Sequence, residues 1–258
     1  VALNTDSSAA DNAQVDATFA AVVLDQAGKI VSCRIDCAQN KMDVTDGAVD
    51  TEASFLTKME LGDDYNMVKF SDATIEWYDQ AKNFEAYVVG KTAAEVEAIE
   101  TTVNEEGNNV AVDEELFAGC SISIEDFITA VVKACNDEKG STFTAGSDFT
   151  LGVAAISTAD ESVAATEEED GVVKMYSHFG AAVVDQEGKI LAALTDATQP
   201  QIAINAAGEI GDITFNGTKR ELGPDYNMVK FGAAIAEWDE QAKAFADFTV
   251  GKTADEVL

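Results

Sequence analysis

Ten of the eleven residues from Glu60 to Phe70 return unchanged between Glu221 and Phe231. They stand at the centre of a duplication running through most of the chain. Asp25-Gln26-Ala27-Gly28-Lys29-Ile30 recurs as Asp185-Gln186-Glu187-Gly188-Lys189-Ile190, and the stretch from Trp77 to Gly90-Lys91-Thr92 recurs from Trp238 to Gly251-Lys252-Thr253. A spacing of about 160 residues is the size of a whole domain, far above the ~20–50-residue period of solenoids and propellers. The chain therefore reads as two homologous units, residues 1–140 and residues 149–258, with the Gly-, Ser-, Thr- and Asp-rich segment 137–148 between them.

A chain of 258 residues can build two ordinary cores without covalent staples. Its 48 acidic and 16 basic residues give a formal charge of −32, a field that repels phosphate backbones and anionic lipid. Nucleic acid and the membrane surface are thus poor partners, and any membrane association is expected through an anchor outside this sequence. No apolar run approaches the roughly 20 residues of a membrane span, and Val1 reads as a processing boundary. Of the four cysteines, Cys33 and Cys37 fall with Val31 and Ile35 on the apolar face of one strand, about 13 Å apart and beyond disulfide reach. Their counterparts are Ala193 and Ala197, so both read as small core residues, and Cys135 continues the helical stripe of Ile124, Ile128 and Val131.

Each copy opens with strands: Phe19 to Leu24 and Lys29 to Cys37 in the first, Val172 to Val184 and Lys189 to Thr195 in the second. Asp-x-x-Gly between them is a hairpin signal. Further extended segments, Lys41 to Val49 and Gln201 to Ile213, turn at Asp46-Gly47 and Ala206-Ala207-Gly208. After the shared Glu-Leu-Gly come helices over about 72–88 and 233–249, with Trp77, Ala81, Phe84 and Val88 on one face and Trp238, Ala242 and Phe245 repeating the pattern. Gly90 and Gly251 end them, and Thr92 to Glu95 and Thr253 to Glu256 are capping boxes for the next helix. Only the first copy continues, through an acidic linker from Glu100 to Asp113, to a last helix over about 124–136. Either the second copy lacks that helix or the chain is cut at Leu258. The fold class is α+β, each unit a small antiparallel sheet with two or three packed helices.

The most suggestive local sequence is Glu115-Leu116-Phe117-Ala118-Gly119-Cys120-Ser121-Ile122-Ser123, leading into an amphipathic helix. It resembles the flavinylation motif of the FMN-binding domain family, Asp-x-x-Ser/Thr-Gly-Ala-Thr-x-Ser/Thr. The strand pair from Asp25 to Ile30 is also similar to the Asp-Gly-Lys-Ile hairpin of that family. The resemblance implies an extracytoplasmic α+β domain that carries FMN for electron transfer, often through a phosphodiester on the Thr hydroxyl. Carried over, it gives Gly119, Cys120, Ser121 and Ser123 as cofactor-binding residues, with Ser121 at the acceptor position. Glu115 stands for Asp, Ala118 for the first Ser/Thr, and Cys120 for Ala, which puts the attachment in doubt. A helix N-terminus beyond Ser121 would stabilise a phosphate, but Glu125 and Asp126 already occupy that end. The plainer reading makes Ser123 the helix N-cap, worth about 1 kcal/mol, and Cys120 a buried neighbour. The Glu-Leu-Gly-Asp-x-Tyr and Gly-Lys-Thr segments look like those of uncharacterised lipoproteins of anaerobic Gram-positive bacteria, which implies an extracellular or cell-surface, lipid-anchored protein.

A polar set is also present twice: Asp36 and Gln39 with Asp196 and Gln199, Lys58 with Lys219, and Tyr65, Asn66 and Lys69 with Tyr226, Asn227 and Lys230. It marks either a ligand site built twice or turns whose side chains cap neighbouring backbone, the latter favoured because no acid, base and nucleophile converge. His178, the sole histidine, falls in a strand that the first copy's pattern lacks and supports neither a His triad nor a multi-His metal site. Asp43 to Gly47 lacks the spacing of a calcium loop. The two Gly-Lys-Thr segments lack the upstream glycine of a phosphate loop, with Glu85 and Ala246 in its place. The functional expectation is a non-enzymatic surface module related to FMN-binding domains, either a flavin carrier in the first copy or a small-ligand-binding or structural protein with a decayed motif.

Overall fold

In the computed structural model, which describes residues 2–6, 12–144 and 148–258, both Asp-x-x-Gly hairpins form. Asp25 Oδ1 accepts from the N–H groups of Ala27 and Lys29 at 2.8 and 2.9 Å, and Asp185 does the same for Glu187 and Lys189. Gly28 and Gly188 close the turns at φ +76° and +77°, where a side chain would be strained. Val1 and residues 145–147 of the expected boundary lie outside the described residues.

The first hairpin joins β2 (Asn12–Leu24) to β3 (Ile30–Asp43), and β1 (Ala2–Asp6) completes an antiparallel sheet ordered β1-β2-β3. Then come α1 (Lys58–Leu61), a 3-10 turn (Gly62–Tyr65), α2 (Met67–Phe70), α3 (Trp77–Val88) and α4 (Ala93–Glu97). A small hairpin, β4 (Thr101–Val103) and β5 (Asn109–Ala111), leads to α5 (Glu114–Gly119) and α6 (Glu125–Cys135). The second copy runs β6 (Phe149–Thr158), β7 (Gly171–Lys174), β8 (Tyr176–Asp185), β9 (Ile190–Thr198), β10 (Gln201–Ile204) and β11 (Ile210–Thr214). It ends with α7 (Lys219–Leu222), a 3-10 turn (Gly223–Tyr226), α8 (Met228–Gly232), α9 (Trp238–Thr249) and α10 (Ala254–Val257). Its sheets are ordered β6-β8-β9 and β11-β10-β7, so the fold is α+β with several small antiparallel sheets.

The two main sheets lie face to face. Phe19 on β2 and Phe179 on β8 bring their rings to 4.7 Å, among Ala17, Ala21, Ala181 and Ala192, whose small side chains let the sheets approach. Each sheet turns its other side to its own helices: α3 and α6 cover the first, α9 the second. Gly-Lys-Thr fastens helix to sheet, since Gly90 N–H donates to Ile30 O at 2.7 Å and Ile30 N–H to Lys91 O at 2.9 Å, with Gly251, Ile190 and Lys252 repeating the pair.

Several expectations are corrected. The long helices begin at Trp77 and Trp238 and not at 72 and 233, because Glu76 and Glu237 turn their carboxylates back onto the N–H groups of Met67 and Met228 at 2.8 and 2.7 Å. The acidic linker holds the β4–β5 hairpin, organised by Asn104 Oδ1 accepting from Glu106 and Asn108 and by Gly107 at φ +86°. Residues 149–158, which the sequence assigns to nothing, form β6. His178 sits on β8, whose counterpart β2 carries Thr18 at that position, so its strand is present in both copies. Val31 faces solvent, because a register shift at the hairpin end of β2 and β3 puts Ile30 in the core instead.

Candidate functional site

The segment carrying Gly119, Cys120, Ser121 and Ser123 is held against α3 by two side chains, Gln80 and Asn83. Gln80 is fully buried, and its Oε1 accepts from the N–H of Ser121 at 2.9 Å and of Ile122 at 3.2 Å. The Ser121 hydroxyl points to the same oxygen at 3.4 Å. Gln80 Nε2 donates to Ile75 O at 3.0 Å, so the amide bridges the entry of α3 to the strap between α5 and α6. On either side, Cys120 N–H donates to Leu116 O at 2.7 Å and Ile124 N–H to Asn109 O at 3.0 Å. Gly119 is a contact residue: its carbonyl accepts from Asn83 Nδ2 at 2.8 Å, and a Cβ there would come within 3.2 Å of Asn83.

Such an arrangement commits to protein partners the N–H groups of Cys120, Ser121, Ile122 and Ile124, which flank the acceptor position. Cys120 is buried, and burial pushes its thiol up to about 12, leaving it a poor nucleophile. Ser123 is exposed and precedes the cap position, which falls on Ile124 with no capping bond from its side chain.

The duplicated polar set has structural work in both copies. Asp36 Oδ1 accepts from Cys37 N–H at 2.7 Å and Met59 N–H at 3.0 Å, fixing the start of α1 to β3. Asp196 does so for Ala197 and Arg220 at 2.8 and 3.1 Å. Lys58 Nζ lies 4.9 Å from the Tyr65 ring and 5.4 Å from Trp77, and Lys219 repeats this over Tyr226 and Trp238 at 4.9 and 5.3 Å. Tyr226 donates to Gln199 at 2.8 Å, and Tyr65 to Gln39 at 3.4 Å. Asn66 and Asn227 hold left-handed backbone at φ +56° and +58°, and Lys69 and Lys230 cover the exposed rings of Phe70 and Phe231.

A cleft of about 480 Å³ opens between β3, α3 and β6, lined by Val31, Arg34, Met59, Lys82, Glu85 and Val89 among others. Glu85 Oε1 accepts from the edge-strand N–H of Ile35 at 2.7 Å, and Oε2 meets Arg34 at 2.9 Å. The second copy has Leu194 and Ala246 at these positions. Sequence reasoning met Glu85 only as a missing glycine. The signal that could have found it is a charge pair present in one copy and apolar in the other.

No protein family model matches this chain, and no solved structure does. One relative is found. A protein described as "Chlorophenol reductase", from Desulfitobacterium hafniense, is 33% identical over 101 residues. The match covers 34% of this chain and 31% of the relative, so the chain spans about a third of the length of the protein it matches.

Burial raises the carboxyls of Asp36, Glu85 and Asp196 above their ordinary range, against hydrogen bonds that pull them down. A carboxyl raised in the folded state adds stability that is complete below the unfolded value of about 4 and is lost as pH rises through the folded value. Glu95 and Glu256, lowered by hydrogen bonds from their capping threonines, act oppositely, losing their contribution as pH falls through their folded values, below 4.5. His178, held below its ordinary value by burial, works against a rise as pH falls through about 6.5, so in a His178→Gln variant at high salt, where exposed charges are screened, denaturant midpoints should rise as pH is lowered through the folded values of the three carboxyls towards about 4.5. A midpoint that stays flat or falls over that interval refutes this assignment.

Proposed function

We propose that this chain is a non-enzymatic binding module displayed at the cell surface, which associates with a reductive system without performing its chemistry. Its two repeat units, 1–140 and 149–258, are the working parts. The observation that carries the reading is Gln80 occupying the N–H groups of Ser121 and Ile122, which makes the motif segment a packing strap for α6. The cleft beside Glu85 is where a small ligand fits, its volume lying within the ~300–1,000 Å³ of ordinary ligand pockets. The shared stretch with a protein described as a reductase supports the reductive association. Lipid anchoring rests on the resemblance to surface lipoproteins.

The competing reading is an FMN carrier in electron transfer, with the flavin on Ser121, and the same relative favours it. The two separate on an intact mass and an absorption spectrum of protein exported together with a flavin transferase. The packing-strap reading expects a colourless protein of unmodified mass. A yellow protein carrying the mass of FMN, lost in Ser121→Ala, would overturn it.

A further inference from the structure

The cleft beside Glu85 sorts its charge by depth. Two acids and two cations line it. The acids are withdrawn: Asp36 is 3% exposed, with Oδ1 on the N–H groups of Cys37 and Met59, and the Glu85 side chain is 4% exposed, its two oxygens taking Ile35 N–H and Arg34. The cations stand in the open, with 47% of the Arg34 side chain and 57% of the Lys82 side chain exposed. The chain has 16 basic residues against 48 acidic, so a cleft whose solvent-facing charge is positive runs against the rest of the surface.

Arg34 is also held in one pose. Its Nη1 donates to Glu85 Oε2 at 2.9 Å and to Cys33 O at 3.2 Å, and Glu85 is itself fixed by Ile35 N–H at 2.7 Å. Among the described residues nothing pairs with Arg34 Nε or Nη2. A guanidinium fixed at one nitrogen keeps free the planar edge that meets a carboxylate with two parallel N–H···O bonds. Lys82 is less available, its Nζ lying 3.7 Å from Asp79 and 4.5 Å from the centre of the Tyr78 ring. The remaining walls are apolar. The register shift that turns Val31 outward places it here, and Val89, also exposed, lines the same cleft with Met59 and Val153. The second copy has Leu194 and Ala246 in place of the ion pair, so the arrangement occurs once per chain.

We propose that this cleft binds a small organic acid with one carboxylate on an apolar body, the carboxylate on the Nε and Nη2 edge of Arg34 and the body against Val31, Val89 and Met59. The inference rests on the reading of the cleft as a ligand site and adds the class of ligand. A single charge is favoured because the field of a chain at −32 repels a dianion more strongly than a monoanion. An apolar body is needed because one ion pair at a half-exposed guanidinium contributes little by itself.

The test is a calorimetric titration of the full chain at low salt with three probes that share one body: phenylbutyrate, phenylbutanol and phenylbutyl phosphate. The carboxylate should bind at one site per chain, about 10–100-fold more tightly than the alcohol, the span of a charge-assisted bidentate pair. It should also bind more tightly than the phosphate ester, and added salt should weaken it. Arg34→Leu combined with Glu85→Ala gives the first copy the residues of the second. That variant should keep the circular dichroism of the parent and bind acid and alcohol alike. A carboxylate bound no more tightly than the alcohol overturns the proposal while leaving a ligand cleft in place, and a tighter phosphate ester overturns it in favour of a dianion. Absence of binding by all three probes overturns both the proposal and the ligand reading of the cleft. An acid preference that survives in the double variant puts the acid elsewhere and overturns the proposal as well.

Discussion

Phe84→Ala destabilises the protein by about 3–5 kcal/mol, while the matching change Phe245→Ala costs at most about 1 kcal/mol. The two phenylalanines hold the same place in duplicated helices, so propensity and local sequence are nearly constant between them. What differs is the third layer. Phe84 is buried in one cluster with Phe127, whose ring lies 5.4 Å away, Val131 and Cys120, and its removal leaves a cavity that a close-packed cluster cannot collapse into. Phe245 is already in contact with solvent, and little apolar surface returns to water when it goes. Urea midpoints of the two variants, followed by circular dichroism, give the comparison directly. Equal losses would mean that the second-copy face is covered in solution.

The second large effect belongs to Phe19→Ala, expected to cost about 3–5 kcal/mol, with the ring pairing to Phe179 adding about 1 kcal/mol. The change empties the centre of the cluster that joins the two main sheets, where alanines offer no volume to fill the gap. It should also uncouple the copies. Trp77 and Trp238 report one copy each, so single-tryptophan versions made with Trp77→Phe and Trp238→Phe resolve the two transitions. They should coincide in the parent and separate in Phe19→Ala. Coincident transitions with a loss under about 1 kcal/mol would show that the sheets are held together elsewhere.

The duplication, the turns at Asp25 and Asp185 and the apolar stripes of α3 and α9 were legible because each is local: a turn residue, a 3.6 period, a capping pair. The packing of sheet on sheet was not. Both sides of β2 are buried, one under α6 and one under the other sheet, so the alternation that marks a half-buried strand is blurred by Ala17, Ala20 and Ala21. β6 escaped for another reason, since Gly152, Ala154, Ala155 and Ser157 interrupt its β-branched residues Thr150, Val153, Ile156 and Thr158. In the candidate site, the motif drew the eye to Ser121, yet the residue that decides what Ser121 can do is Gln80, a polar side chain on a buried helix face. Its repetition at Gln241 was visible in the sequence. Its meaning was not, because a buried amide is explained only by partners about 40 residues away.

Two sheets set back to back leave this molecule with two fronts. The strap and α6 belong to one and α9 to the other, yet they meet round the edge of the sheets, where Lys133 of α6 pairs with Glu221 and Lys139 with Asp239 at 2.9 Å. The two fronts are therefore tied by charge pairs as well as by the apolar seam, and added salt loosens the first tie without weakening the second.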